Sequence, residues 1–268
     1  MEEFLLGADP EFGIKNRRNG RSRTARDVIH DPDPHSQKVL GAAIGLDGDR
    51  PTASLELRPG TSMSGEELVH RMGDLIVKLR NHYHPPGIAY ISGPWLDPEP
   101  FGGHIHISWT PTSSYTSDWS KKAWQISELL QGISEMSVFL TNTMFDPKLV
   151  KIRTQYAHEH GRDFANPKST RPSTIEEILA SGHVEYRYPP SWLMSPESAY
   201  CFLGGAEVIV REVFSAQLGK MNDWYEFTER MFKGEGISPP NSPSLATAFT
   251  VAQIHKFPED FTDNWVDE

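Results

Sequence analysis

Four short stretches of this chain carry the same arrangement of reactive groups. In "GGHIHIS" His104 and His106 flank Ile105, and in "GADPEF" Asp9 and Glu11 flank Pro10. In "SLELRPG" Glu56 and Arg58 flank Leu57, and in "HVEYRYPP" Glu185 and Arg187 flank Tyr186. Side chains alternate faces along an extended strand, so residues two apart point the same way. Each stretch therefore sets two ionisable groups on one side and a less polar residue on the other. An antiparallel sheet with one wet face also alternates, but such faces draw on Thr, Lys, Ser and Gln as well. Here every one of these positions is acidic, His or Arg, which favours a working face over a merely solvated one.

Carboxylates with some imidazole suit Mg²⁺ or Mn²⁺ better than a closed zinc site. Arginines beside metal-binding carboxylates suit phosphate, because the guanidinium fork matches the phosphoryl oxygens that a metal bridges. The combination reads as a nucleotide–metal site. Neither G-x-x-x-x-G-K-[ST] nor G-x-G-x-x-G occurs, so the phosphates would be held on a sheet, not in a glycine loop.

The strands that would position these groups are "LLGADPEFGI", "ASLELRPG", "GIAYISG", "GGHIHISW" and "HVEYRYPP". Helices are marked by caps and by the 3.6-residue period. Ser64-x-x-Glu67 opens one that runs to His82, with Leu68, Met72, Leu75, Ile76 and Leu79 on one side. Asp118 to Leu140 carries Trp119, Ala123, Ile126, Leu130, Ile133 and Met136 at helical spacing. Ser173-x-x-Glu176 starts a short helix that Gly182 can end, and Pro196 suits the first turn of a helix reaching about Leu218. "NDWYEFTERMF" and "LATAFTVAQIHKF" read as two more. Several strands come in pairs and do not alternate regularly with helices. The expected class is therefore α+β: a largely antiparallel sheet, helices on one face and the reactive groups on the other. Residues 17–35, basic and then Asp/Pro-rich, read as a solvated insertion or loop; a lid over an anionic substrate is the sharper alternative.

Composition narrows the function. Of the 268 residues, 37% are hydrophobic and 23% charged, which supports a globular core and argues against wholesale disorder. A net charge of −10 argues against a general nucleic-acid or anionic-membrane binder. It leaves room for a small anion held by local arginines. Cys201 is the only cysteine, so no internal disulfide and no cysteine-rich zinc site can form. Its apolar neighbours mark it as a small core hydrophobe. No apolar run approaches the ~20 residues that span a bilayer, and the acidic start is a poor secretory signal. The expectation is a soluble protein of a reducing compartment, with no membrane partner.

Taken in order, "GADPEF", "GLDG" with "ASLELRPG", "GGHIHIS", the arginine-rich stretch from Arg153, and "HVEYRYPPSWL" span about residues 4 to 194. This ordered set resembles the phage-encoded carboxylate–amine ligase type 2 family of the glutamine-synthetase-like superfamily. The resemblance implies a glutamine-synthetase-like curved sheet in a ligase domain over 1–218. Residues 219–268 have no counterpart in that resemblance and are expected to form a C-terminal helical extension with an acidic tail, packed on the same domain. It implies metal ligation by Asp9, Glu11, Glu56, His104 and Glu185, with ATP and Mg²⁺ (or Mn²⁺) as cofactors. Arg58, Arg153, Arg162, Arg171 and Arg187 would face the nucleotide, and Glu185, Arg187 and His106 would be catalytic. The family's tyrosine–glycine segment stands here as Tyr156-Ala157, and the spacing from Arg162 to Glu185 is long.

The implied reaction is ATP-dependent amide formation through an acyl phosphate. The substrates would be a carboxylate and an amine, from a small molecule, a peptide or a protein terminus. A phage-encoded enzyme of this kind would work in the host cytoplasm. Two rivals stand beside it. A metal-dependent hydrolase of the amidohydrolase type would need its His-x-His strand near the start of a regular β/α repeat. A cupin would need a glutamate four or five residues after the pair, where Thr110 and Pro111 stand. The second rival is a non-catalytic nucleotide-binding or assembly protein that kept the fold.

Overall fold

The computed structural model describes residues 4–23, 43–46, 54–94, 100–110, 118–159, 170–216, 223–254 and 260–265. Among these, the longest strand is β1 (Phe4–Asn16), and most of the sheet is built around it. Phe4, Leu6, Ala8, Phe12 and Ile14 alternate along it and are all buried, as a strand with one face in a core requires. The remaining strands are β2 (Ser22–Arg23), β3 (Ala43–Leu46), β4 (Leu55–Arg58), β5 (Thr61–Ser62), β6 (Ile88–Ile91), β7 (Gly103–Trp109), β8 (Thr170–Arg171) and β9 (His183–Tyr186). The main path runs β3-β4-β1-β7-β9-β8, while β2, β5 and β6 also pair with β1. Every pairing is antiparallel. The five strands read from sequence are present. The four short ones, β2, β3, β5 and β8, have two to four residues each and too little alternation to be read.

β4 and β5 are one strand interrupted by a bulge. Glu11 pairs with Glu56 and Gly7 with Thr61, so four steps on β1 oppose five on the partner. The extra residue falls around Pro59-Gly60, where Gly60 takes φ 80°. A bulge of this kind shifts the alternation by one residue. It puts Thr61 on the same face as Glu56 and Arg58.

Seven α-helices occur among the described residues: α1 (Gly65–Tyr83), α2 (Trp119–Met144), α3 (Pro147–Glu159), α4 (Ile175–Ser181), α5 (Pro196–Ser215), α6 (Trp224–Lys233) and α7 (Leu245–Ile254). Ser64 caps α1 by accepting from the Glu67 backbone N–H, one half of the expected capping box, while the Ser64 backbone N–H donates to Ser62 Oγ and not to Glu67. The expected cap of α4 shifts by one residue: Thr174, not Ser173, accepts from Glu177, while Gly182 closes the helix in the left-handed region. Ser195 and Ser198 cap α5 reciprocally ahead of Pro196. α3 was not expected as a helix, and none of its residues is fully buried, so no core stripe announces it.

The apolar faces of β1, β4, β7 and β9 join α1, α2 and α5 in one core. Cys201 lies buried in it on α5, and burial pushes its thiol pKa up, as expected for a packing residue. Over residues 260–265 the acidic end packs against the rest of the chain. Phe261 packs edge-on against Phe12 at 5.4 Å, and Trp265 Nε1 donates to the Leu193 carbonyl at 2.9 Å. Among the described residues no helix is long and apolar enough to cross a membrane.

Candidate active site

The strand register arranges the reactive side chains in rows. Asp9 on β1 lies opposite His104 on β7, Gly7 opposite His106, and Leu5 opposite Ser108. On β9, Glu185 lies opposite His106 and His183 opposite Ser108, and Arg171 on β8 lies opposite Glu185. On the other side of β1, Glu11 meets Glu56. Directly paired residues share a face. These residues therefore all stand on the sheet face opposite the helical core.

Three ligand atoms converge: one each from Asp9, His106 and Glu185, all within 4.8 Å of one another. Asp9 Oδ1 is 3.1 Å from both His104 Nδ1 and His106 Nε2. Glu185 Oε1 is 3.4 Å from His104 Nδ1 and 3.1 Å from Arg187 Nε. Glu11 Oε1 is 3.8 Å from His104 Nε2, while its Oε2 accepts from the Gly102 backbone N–H at 2.7 Å. The buried Glu56 carboxylate pairs with Arg58 on its own strand. Arg171, on the exposed rim, brings its Nε to 3.9 Å from Glu185 Oε2.

Gly102 makes room for this arrangement. A Cβ there would overlap the His104 ring, and the Gly102 carbonyl accepts from the Glu11 N–H at 2.7 Å. The same glycine thus holds both the backbone and the side chain of Glu11, and it floors the His104 ring.

Burial raises the Asp9 carboxyl pKa, but the adjacent His104 and His106 outweigh it and hold the group well below the usual carboxylate range. Burial lowers the His104 pKa, while Asp9, Glu11 and Glu185 around it reverse the sign and raise it. Asp9 Oδ1 and Arg187 Nε are nevertheless buried without an aligned hydrogen bond. Such groups are rare in native proteins. A divalent cation among Asp9, His106 and Glu185 would satisfy the Asp9 oxygen, and this oxygen-plus-imidazole set fits Mg²⁺ or Mn²⁺.

The sequence expectations separate at this point. Asp9 and Glu185 lie in the tight cluster; the imidazole there is that of His106, expected to face substrate. His104 sits beneath, buried against the carboxylates. Glu11 borders the cluster, and Glu56 and Arg58 engage each other one strand away. Arg153 on α3 directs its guanidinium to main-chain carbonyls: Phe101 at 2.7 Å, and Tyr188 and Pro189 at 3.0 Å each. That ties together the backbone leading into β7 and out of β9. Arg162 and residues 24–35 lie outside the described residues.

His183 escaped the sequence reading. Its ring stacks on His106 at 5.4 Å, and its Nδ1 is 3.0 Å from Ser108 Oγ. Burial, then the nearby His106, lowers its pKa. The signal was present, since His183 stands two before Glu185 and continues the same alternation.

Among solved structures, the chain is similar to GmaS in an ADP complex, with TM-score 0.50 and 13% identity over 98% of this chain and 67% of that one. The fold is glutamine-synthetase-like. GmaS without ligand gives TM-score 0.49 at 13% identity over 99% and 69% of the two chains. A structure titled a novel glutamine synthase homolog gives 0.46 at 10% identity over 97% and 65%. The chain spans about two thirds of the length of these proteins, and at such identities the likeness is one of fold. No protein-family model matches the sequence, and no curated protein matches it.

Proposed function

We propose that this protein is an ATP-dependent carboxylate–amine ligase of the glutamine-synthetase-like superfamily, phage-encoded and working with Mg²⁺ or Mn²⁺. The observation that carries the reading is the convergence of Asp9, His106 and Glu185, with Arg187 beside them, on the open face of a glutamine-synthetase-like sheet. The reaction joins RCOO⁻ and R′NH₂ into an amide while ATP becomes ADP and phosphate. A carboxylate cannot expel oxide, so phosphorylation first gives it a better leaving group. A bound divalent cation would offset phosphate charge at this site.

The chain's own groups have definable tasks. Arg187, beside Glu185, would face the transferring phosphoryl, where a preorganised guanidinium stabilises charge that develops in the transition state. Asp9 Oδ1 stands between the two imidazoles, 3.1 Å from His104 Nδ1 and 3.1 Å from His106 Nε2, and would orient both electrostatically. Glu11, held by Gly102, adds a second buried carboxylate beside His104.

An ADP-release assay with Mg²⁺ or Mn²⁺ across a panel of carboxylates and amines tests the reading, with mass spectrometry of the products. ADP formation that depends on both substrates, with an amide as product, is expected. ADP formation with water as the sole acceptor, or metal-dependent ATP binding without turnover on any pair, counts against it.

A further inference from the structure

The row of the site face beyond the cluster carries no Asp, Glu, Lys or Arg. Moving along β1 away from Asp9, the face carries Gly7 and then Leu5, and beside Leu5 stand Ser108 and His183. On the other flank Thr61 pairs with Gly7. Met63 follows Ser62, the partner of Leu6, at the bend that leads into α1. Leu5 is 43% exposed and Met63 45%, while Leu6 and Ser62 between them are buried.

Single exposed apolar residues need no explanation. Six large ones occur among the described residues, and four of them, Val77, Ile152, Tyr225 and Ile254, are scattered over the helices. Of the two that remain, Leu5 stands on the site face one row from His106, and Met63 lies at the bend just past the Leu6–Ser62 pair. The charged rows can hold metal and phosphates. The phosphoryl acceptor must then lie against the cluster, and the adjoining row, which holds no Asp or Glu, adds no like-charge penalty for a carboxylate.

Building on the ligase reading, we propose that Leu5 and Met63 form the subsite for the apolar body of the carboxylate substrate. Ser108 and His183 supply its polar rim. The carboxylate end points to the cluster at His106, and the hydrocarbon end lies over Leu5. The substrate class is thus a carboxylate bearing an aliphatic portion, not a small, fully polar acid.

Binding of acetate, butyrate and hexanoate to the full chain tests this, by calorimetry with Mg²⁺ and a non-hydrolysable ATP analogue present. Each methylene laid on apolar surface is expected to tighten binding by about two- to fourfold. Leu5→Ser and Met63→Ser should each remove much of that gain, Leu5→Met should keep it, and analogue affinity should stay within about twofold. Melting temperatures on the same preparations show that the variants fold. Equal affinity for acetate and hexanoate, or a gain that survives both serine variants, overturns the subsite. Loss of analogue affinity in the serine variants also overturns it, because the row would then hold the nucleotide base. ADP release is read separately: chain-length-dependent binding without ADP keeps the subsite and removes the ligase reading. ADP release without chain-length dependence does the reverse.

Discussion

Asp9 and His104 stand directly opposite each other in the β1–β7 register, with His104 Nδ1 3.1 Å from Asp9 Oδ1. The same oxygen is 3.1 Å from His106 Nε2, so one carboxylate oxygen meets imidazoles from two successive rows of the neighbouring strand. Neither contact is an aligned hydrogen bond. The register therefore brings a negative group and two nitrogens together without satisfying the oxygen, which is what a cation site requires of its ligands before the ion arrives.

The proposed ligase reading makes nucleotide binding depend on metal. Asp9, Glu11 and Glu185 would repel phosphates until a cation intervened. ATP affinity is expected to collapse with a chelator and to return with Mg²⁺ or Mn²⁺. Calorimetric titrations with and without chelator check it, and equal affinity in both would remove the metal-bridged site.

Gly102→Ala should damage the site locally. The added Cβ meets the buried His104 ring, which is itself packed among Asp9, Glu11 and Glu185. Overpacking of this kind typically costs about 1–3 kcal/mol. A lower melting temperature together with weaker Mn²⁺ binding is expected, whereas a stable variant with unchanged Mn²⁺ affinity would show that the His104 position does not matter.

Much of this site was legible because strand alternation is a strict period of two. Asp9, Glu11, His104, His106 and Glu185 needed only their spacing and their residue types. What alternation could not give is register: nothing in the sequence says that Asp9 meets His104, or that Glu11 meets Glu56 across a bulged partner. Arg153 marks a different limit. A guanidinium serves a phosphate or a set of carbonyls equally well, and only the fold places Phe101, Tyr188 and Pro189 around it. Asp260 and Trp265 belong to an acidic end expected to pack on the same domain, but composition averages over a segment and could not say that these two residues are buried.

That docked segment gives a pH prediction away from the site. Asp260 is fully buried, 3.1 Å from Arg17 Nη2 and 2.9 Å from His84 Nε2. Burial raises its carboxyl pKa, but hydrogen bonds from Thr262 and His84 outweigh this, and the net shift is downward. The folded protein therefore binds this proton less readily than the unfolded chain. The stabilisation is fully present above the unfolded value of about 4 and is lost as pH falls through the lower folded value. Asp260→Asn should cost about 3 kcal/mol at neutral pH, and the gap to wild type should close on acidification. A gap independent of pH would mean that the contact acts through packing alone.

Glu185 and Arg187 decide between a working face and a structural ion pair. Their side chains meet at 3.1 Å, and Glu185 also approaches His104 at 3.4 Å. If Glu185 holds metal, Glu185→Gln removes charge with little change of volume, so melting should be nearly unchanged while metal-dependent turnover falls. If Arg187 faces the transferring phosphoryl, Arg187→Lys keeps the charge and loses the fork. Removing one such donor typically lowers kcat by about 10²–10³, and ATP affinity should change far less. A structural pair behaves in the opposite way. Breaking a buried bridge costs about 3–5 kcal/mol and leaves activity per folded molecule intact. Turnover and melting temperature measured on the same preparations separate the two, and undiminished turnover in both variants would remove this strand from the reaction.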